Sequence, residues 1–72
     1  MSNSTTRKQI LETLKSQALG QLNKHKMNVE LYLEYPVGVG EHSNIMETIE
    51  EELNQISVYH DQLEILNIYF AE

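Results

Sequence analysis

Apolar residues in the last third of the chain recur at alternating spacings of four and three residues. This 3.5-residue repeat is typical of a long amphipathic helix that packs against another helix at a shallow angle. It predicts a second helix over residues 44–70. The predicted seam of this helix consists of Ile49, Leu53, Ile56, His60, Leu63, Asn67 and Phe70.

A second set of apolar residues lies on the opposite side of the same predicted helix. Val58, Ile65 and Ile68 project about 180° away from the seam when each residue advances by ~100°. One partner helix cannot cover both sides. Enclosure of this segment by several helices is therefore favoured over an exposed apolar patch, which soluble monomers usually avoid.

An apolar stripe with helical periodicity also runs along the first half of the chain. It predicts a first helix over residues 6–34, preceded by a frayed terminus at residues 1–5. Gly20 lies within this helix and indicates a local bend or a close helix contact. The stripe comprises Ile10, Leu11, Leu14, Ala18, Leu22, His25, Val29, Tyr32 and Leu33.

The segment from Asn28 to Tyr35 has two interpretations. Its apolar residues alternate with polar residues and with Tyr32, as in a half-buried strand. The same residues also continue the helical stripe, and a single strand would have no partner except a second copy of the chain. We therefore predict helix here, with a strand as the alternative.

A proline and two glycines mark the connection between the helices, at residues 35–43. Pro36 ends the first helix because proline lacks an amide proton, and Gly38 and Gly40 allow the chain to reverse. Asn44 and Glu47 have the spacing of a capping box at the start of the second helix. The sequence thus predicts one all-α domain, residues 1–72, folded as an antiparallel helical hairpin.

The short length of the chain favours self-association. A core formed by 72 residues seldom contributes more than ~3–5 kcal/mol, and the chain has no cysteine for disulfides or thiolate metal sites. We therefore expect a homodimer in which two hairpins form a four-helix bundle.

The charges are distributed unevenly along the chain. All five cations lie in the first 26 residues with one acid, giving +4, whereas residues 27–72 contain ten acids and no lysine or arginine, giving −10. An acidic tip is expected at the turn end of the hairpin. It comprises Glu30, Glu34, Glu41, Glu47, Glu50, Glu51 and Glu52.

This charge distribution and the hydropathy bear on partners and location. Nucleic acid is not an expected partner, because phosphate binding needs clustered cations without a neighbouring acidic field. A membrane is not expected either, since the chain lacks both a signal-peptide pattern and a run of ~20 apolar residues. A cytoplasmic location is predicted.

No residue constellation in the sequence predicts catalysis, a cofactor or a metal ion. Gly38-Val39-Gly40 lacks the third glycine and the lysine of phosphate-binding loops, and the Glu-x-x-His motif of carboxylate-bridged metal sites is absent. His60 is interpreted as a polar seam residue that fixes the helix register, with a pH-sensitive contact as the alternative. His25 is placed opposite Leu53, too far along the hairpin to meet His60.

Residues 24–70 resemble small uncharacterised proteins of T4-like viruses that infect marine cyanobacteria. The resemblance is carried by Asn28-Val29-Glu30-Leu31-Tyr32-Leu33, by Pro36-Val37-Gly38-Val39-Gly40-Glu41-His42 and by Tyr59-His60-Asp61-Gln62-Leu63-Glu64. It implies a viral protein made in the cytoplasm of a bacterial host. It implies no activity and no site residues.

The predicted function is that of a non-enzymatic protein–protein interaction or adaptor module. Two alternatives remain: an acidic regulator that occupies the basic, nucleic-acid-binding surface of a host or viral protein, and a structural component of the virion. Beyond the acidic tip, the candidate interaction residues are Ile49, Leu53, Ile56, His60, Leu63, Phe70, Val58, Ile65 and Ile68.

Overall fold

The fold consists of two long helices that pack against each other. A computed structural model describes residues 2–36 and 44–71, with the backbone alone for residues 2–5. Helix α1 spans Ser2–Glu34 and helix α2 spans Ile45–Tyr69. No strand occurs within these described ranges, which confirms the all-α prediction.

The two helices run antiparallel. His25 of α1 contacts Glu52 of α2, whereas Leu14, eleven residues earlier in α1, shares a groove with Ile65, thirteen residues later in α2. Residue numbers therefore rise along one helix as they fall along the other. The resulting rod measures 56 × 17 × 13 Å, so it is a single layer of two helices.

The ends of α1 follow from local sequence. The helix continues through Asn28 to Glu34, so the helical interpretation of this segment is confirmed and the strand alternative is wrong. It ends before Pro36, as expected for a residue that lacks an amide proton. At its start, α1 extends back to Ser2, beyond the predicted Thr6.

The capping box predicted for α2 does not form. Asn44 occupies the N-cap position, but its backbone is in the α region, with φ −93° and ψ −4°, and its side chain makes no capping hydrogen bond. A capping side chain normally needs an extended backbone in order to reach the free amides of the first turn. The rest of the predicted loop, with Gly38 and Gly40, lies outside the described residues.

Gly20 does not mark a close helix contact. A β-carbon built at this position would meet no other atom within 4 Å, and the residue is exposed. The helix continues through it on both sides. Gly20 is therefore a solvent-facing position of α1, and the contact predicted for it is wrong.

The buried core is very small. Among the residues with described side chains, only Leu11 and Ala18 are buried. The rest of the inner face is half-buried, because two helices alone leave the edges of their contact open to water. The inner face of α1 consists of Leu11, Lys15, Ala18, Leu22, His25, Asn28, Val29 and Tyr32.

The seam of α2 is rotated relative to the prediction. Ile49, Ile56 and Leu63 lie on the inner face as expected, but Leu53 is 50% exposed, and His60 and Asn67 are also exposed. Their places are taken by the residues one position earlier. The inner face of α2 therefore consists of Ile45, Ile49, Glu52, Ile56, Tyr59, Leu63 and Leu66.

The cause of this rotation is a polar contact. Glu52 turns inward to bind His25 and Asn28 of α1, and Tyr59 stacks on His25. The seam is built from two alternating sets of positions. One set is unchanged and the other moves back by one residue, a step of ~100°, so the centre of the seam turns by half of that angle, about 50°. The prediction that His60 is a polar seam residue between these two helices is therefore wrong.

Candidate functional site

A polar cluster joins the two helices near the acidic end of the hairpin. His25 Nδ1 lies 2.6 Å from Glu52 Oε1, and Asn28 Nδ2 donates a hydrogen bond to the same oxygen at 3.0 Å. Because a carboxylate has no proton to give, Nδ1 of His25 carries the proton in this bond. The imidazole also stacks on Tyr59, with ring centroids 6.1 Å apart and planes 8° from parallel.

The cluster is well shielded from water for so open a fold. The side chains of His25 and Glu52 are 13% and 16% exposed. The hydrogen bond from His25 lowers the pKa of Glu52 below its usual value, with smaller contributions from Asn28 and from the charge of Lys24, while partial burial opposes the change. Glu52 is therefore favoured in its ionised form, as a fixed anion between the helices.

The contacts within the polar cluster indicate a structural role. Two side chains of α1, those of His25 and Asn28, converge on one carboxylate oxygen of α2, so sliding either helix by one turn would leave the carboxylate without partners. The cluster therefore fixes the register of the hairpin. This is the role that the sequence suggested for His60, now performed by a different histidine.

The pH dependence of folding provides a test of this role. Because the pKa of Glu52 is lower in the folded state, its stabilising contribution is complete above the unfolded pKa, about 4.5, and is lost as the pH falls through the lowered folded value. Glu52→Gln should lower the free energy of unfolding at pH 7 by about 1 kcal/mol and flatten its acid dependence below pH ~5. Urea denaturation between pH 3 and 7 measures both effects.

The neighbouring Glu51 provides the matched control for this experiment. Glu51 is exposed, and Glu51→Gln removes the same charge without touching the cluster. Its unfolding should retain the wild-type acid dependence. Equal acid dependence in the Glu51 and Glu52 variants would contradict the register role of Glu52.

An apolar groove lies between the helices, closer to their open end. It has a volume of about 510 Å³ and is open to solvent along one face of the hairpin. Three of its lining residues come from α1 and four from α2. They are Leu14, Gln17, Ala18, Tyr59, Gln62, Ile65 and Leu66.

The candidate interaction residues of α2 fall into two groups. Ile49, Ile56 and Leu63 are half-buried against α1, so most of their contact surface is already used within the hairpin. The others are exposed and can meet a partner. These are Leu53, Val58, His60, Ile65, Ile68 and Phe70.

The acidic tip is present in part. Glu47, Glu50 and Glu51 are exposed on α2, and Glu30 and Glu34 are exposed at the same end of α1. Glu52 does not belong to this surface, because it faces α1 and binds His25. Glu41 lies outside the described residues.

One exposed turn of α2 groups three side chains of metal-binding type. The ligand atoms of His60, Asp61 and Glu64 lie within 4.8 Å of one another, and all three residues face solvent. Exposed acidic groups often lie this close without binding an ion. We assign no metal site to this turn, and no cofactor site to the described residues.

Several residues of the polar cluster and of the apolar groove were not predicted from the sequence. Glu52 belonged to a run of three glutamates and was assigned to the acidic tip, and Asn28 was considered only as part of a helix or strand. The available signal was the spacing of His25 and Asn28, which places both on one face of α1. Gln17 and Gln62 were not predicted as site residues, because isolated glutamines are common on protein surfaces.

Comparisons with protein-family models, curated proteins and solved structures give no match to this chain. No helix in the described part of the chain is both long and apolar enough to cross a membrane. The function is therefore inferred from the geometry of the hairpin.

Proposed function

We propose that this protein is a non-enzymatic protein–protein interaction module that works as a homodimer, with two hairpins forming a four-helix bundle. One observation carries the proposal. Fourteen large apolar side chains are exposed in the described part of the chain, whereas only two residues are buried. Covering these side chains requires further helices, and a second copy of the chain is the simplest source of them.

The dimer is tested by light scattering combined with size exclusion. At ~10 µM we expect a mass twice that of the 8.4 kDa monomer, and a melting temperature that rises with protein concentration, because association stabilises the folded chain by mass action. A monomeric mass together with a melting temperature independent of concentration would refute the homodimer. The exposed apolar residues would then require a different protein partner.

A regulator that occupies a basic protein surface is the second candidate. Glu30 and Glu34 favour it, because they lie near the C-terminal end of α1, where the helix dipole prefers cations. Acidic residues placed against the dipole cost some stability, so a role in binding would explain them. Nucleic acid is not a proposed partner of this surface, since its phosphates would be repelled.

The resemblance implies a viral origin, and both candidate functions would then be carried out in the cytoplasm of an infected bacterium. A pull-down from infected cells separates the alternatives. Capture of a polymerase or nuclease through the acidic tip would favour the regulator, and capture of capsid or tail proteins would favour a structural component of the virion.

A further inference from the structure

We propose that the second copy binds in the apolar groove between α1 and α2, antiparallel to the first and related to it by a twofold axis near Gln62. This inference rests on the proposed homodimer and specifies its interface. The groove face is defined as the side of the hairpin that carries Leu14 and Gln17 on α1 and Gln62 and Ile65 on α2.

The groove face carries no charge in the half of the hairpin nearer its open end, whereas the same spacing continued toward the acidic tip reaches Lys24 and Glu51. Residues seven positions apart lie on the same side of a packed helix, so the face extends from Ile10 to Gln21 on α1 and from Gln55 to Tyr69 on α2. Within these limits its outward positions are apolar or uncharged. They are Ile10, Leu14, Gln17, Gln21, Gln55, Val58, Gln62, Ile65 and Tyr69.

The other side of the hairpin is different. At the same levels it carries Glu12 and Glu64, together with His60 and the exposed Leu19. Charged groups are costly to enclose in an interface, and the cores of interfaces are depleted in them. The groove face is therefore the side that another helical pair can cover at the lower cost.

The chemistry of the groove face favours a second copy over an unrelated partner. A twofold interface buries the same patch on both subunits, so the patch must be complementary to itself. A patch of one charge sign would repel its copy, whereas the amides of Gln17 and Gln62 both donate and accept hydrogen bonds and can pair with their own copies. The apolar side chains between them have no directional requirement.

The exposed area agrees with the need for one partner of similar size. The chain exposes 5695 Å², whereas a compact monomer of its mass would expose ~4,600 Å². The excess is roughly 1,100 Å², and the interface of an obligate homodimer buries ~1,000 Å² or more of each partner. One second copy in the groove would therefore bury an area of this size.

The acidic tip determines the orientation. In a parallel dimer the exposed residues Glu47, Glu50 and Glu51 of both copies would meet at one end, where they would repel each other. In an antiparallel dimer the two tips lie at opposite ends of the rod, well beyond the ~8 Å screening length at physiological salt. The cations near the start of each α1, such as Lys8, then lie toward the acidic tip of the other copy.

A pair of matched substitutions tests the face. Ile65 is 46% exposed in the groove, and Ile68, 64% exposed, lies one turn away on the outer side of the same helix. Ile65→Asp should weaken the dimer roughly 100-fold, because the twofold axis buries the new carboxylate twice, while Ile68→Asp should leave it within about threefold of wild type. Sedimentation equilibrium measures both dissociation constants, and circular dichroism reports whether each variant folds.

Cysteine cross-linking tests the orientation and does not depend on a destabilising change. The chain has no cysteine, so a single introduced thiol is unambiguous. Gln62→Cys should form a disulfide-linked dimer on mild oxidation. Gln55→Cys should not, because seven residues at ~1.5 Å per residue place its two copies about 20 Å apart in the antiparallel dimer, and a disulfide needs α-carbons within ~7 Å.

Each outcome of these experiments is decisive. Cross-linking of Gln55→Cys as readily as Gln62→Cys would contradict the antiparallel arrangement, and cross-linking of Leu53→Cys in place of both would show that the opposite side is the interface. A dimer weakened by Ile68→Asp and not by Ile65→Asp, or a dimer in which Gln62→Cys fails to cross-link, would also overturn this proposal while leaving the homodimer intact. A monomeric wild type at ~10 µM would instead overturn the proposed function itself.

Discussion

Ala18→Asp should unfold most of the protein. Ala18 is only 2% exposed, and it lies between the helices beside Tyr59 and Leu66. An ionised carboxylate at this position would be removed from water, and burying a charge that is not well paired costs on the order of 3 kcal/mol or more. Since a core of this size contributes only ~3–5 kcal/mol, little stability would remain. Urea denaturation followed by circular dichroism measures the loss.

Leu19→Asp is the matched control for this prediction. It introduces the same residue at the next position of the same helix, and Leu19 is 48% exposed. Both variants introduce aspartate into the helix, and their costs in helix propensity differ only by the small difference between alanine and leucine, so the comparison reports mainly the burial. We expect Leu19→Asp to change the free energy of unfolding by less than ~1 kcal/mol. Near-wild-type stability of Ala18→Asp would show that the carboxylate reaches water through the groove.

Val29→Pro should have a comparably large effect. Val29 lies within α1, and proline there removes a backbone hydrogen bond and clashes with the carbonyl of His25, at a cost of ~3 kcal/mol or more. The distortion also reaches the imidazole that holds Glu52. We expect loss of most helical signal in circular dichroism at 25 °C.

Val29→Ala is the control that keeps the helix. Alanine removes two half-buried methyl groups but has a higher helix propensity than valine, so we expect a loss of about 1 kcal/mol or less. Retention of full helicity by Val29→Pro would contradict the helical structure of this segment. Backbone chemical shifts of the wild-type protein, if extended across Asn28 to Glu34, would do the same.

The register of this hairpin depends more on specific contacts than on the amount of buried surface. Only Leu11 and Ala18 are buried among the described side chains. The polar cluster around Glu52 contributes little net free energy compared with apolar burial, but it selects one register among several that the apolar stripes alone would accept. This division of roles is common in helical pairs, where polar seam residues confer specificity at some cost in stability.

The period of the apolar residues was enough to predict both helices and their order. The stripe from Ile10 to Tyr32 predicts α1, and Pro36 predicts where it ends. The heptad repeat from Ile49 to Phe70 predicts α2. These predictions succeed because a helix is indicated by the local spacing of apolar residues and its end by a proline, which lacks an amide proton. Both features can be read directly from the sequence.

Sequence reasoning could not determine which side of α2 faces α1. Two seams share Ile49, Ile56 and Leu63 and differ in whether Leu53, His60 and Asn67 or Glu52, Tyr59 and Leu66 complete them. Each of these sets has one leucine and two more polar residues, so hydrophobicity alone does not choose between the two seams. Only the packed structure brings His25 and Asn28 of α1 within hydrogen-bonding distance of Glu52, and these contacts select the second.

The groove face likewise could be identified only once the orientation of α2 relative to α1 was known. Ile65 was recognised as an outward apolar residue in the sequence, but Leu14 was assigned to the inner stripe, and neither glutamine was linked to them. The sequence by itself determined two amphipathic helices, the site of the turn and the segregation of charge, because these depend on neighbours along the chain. The tertiary structure decided the register, the rotation of α2 and the uncharged groove, because these depend on which side chains of two separate helices meet.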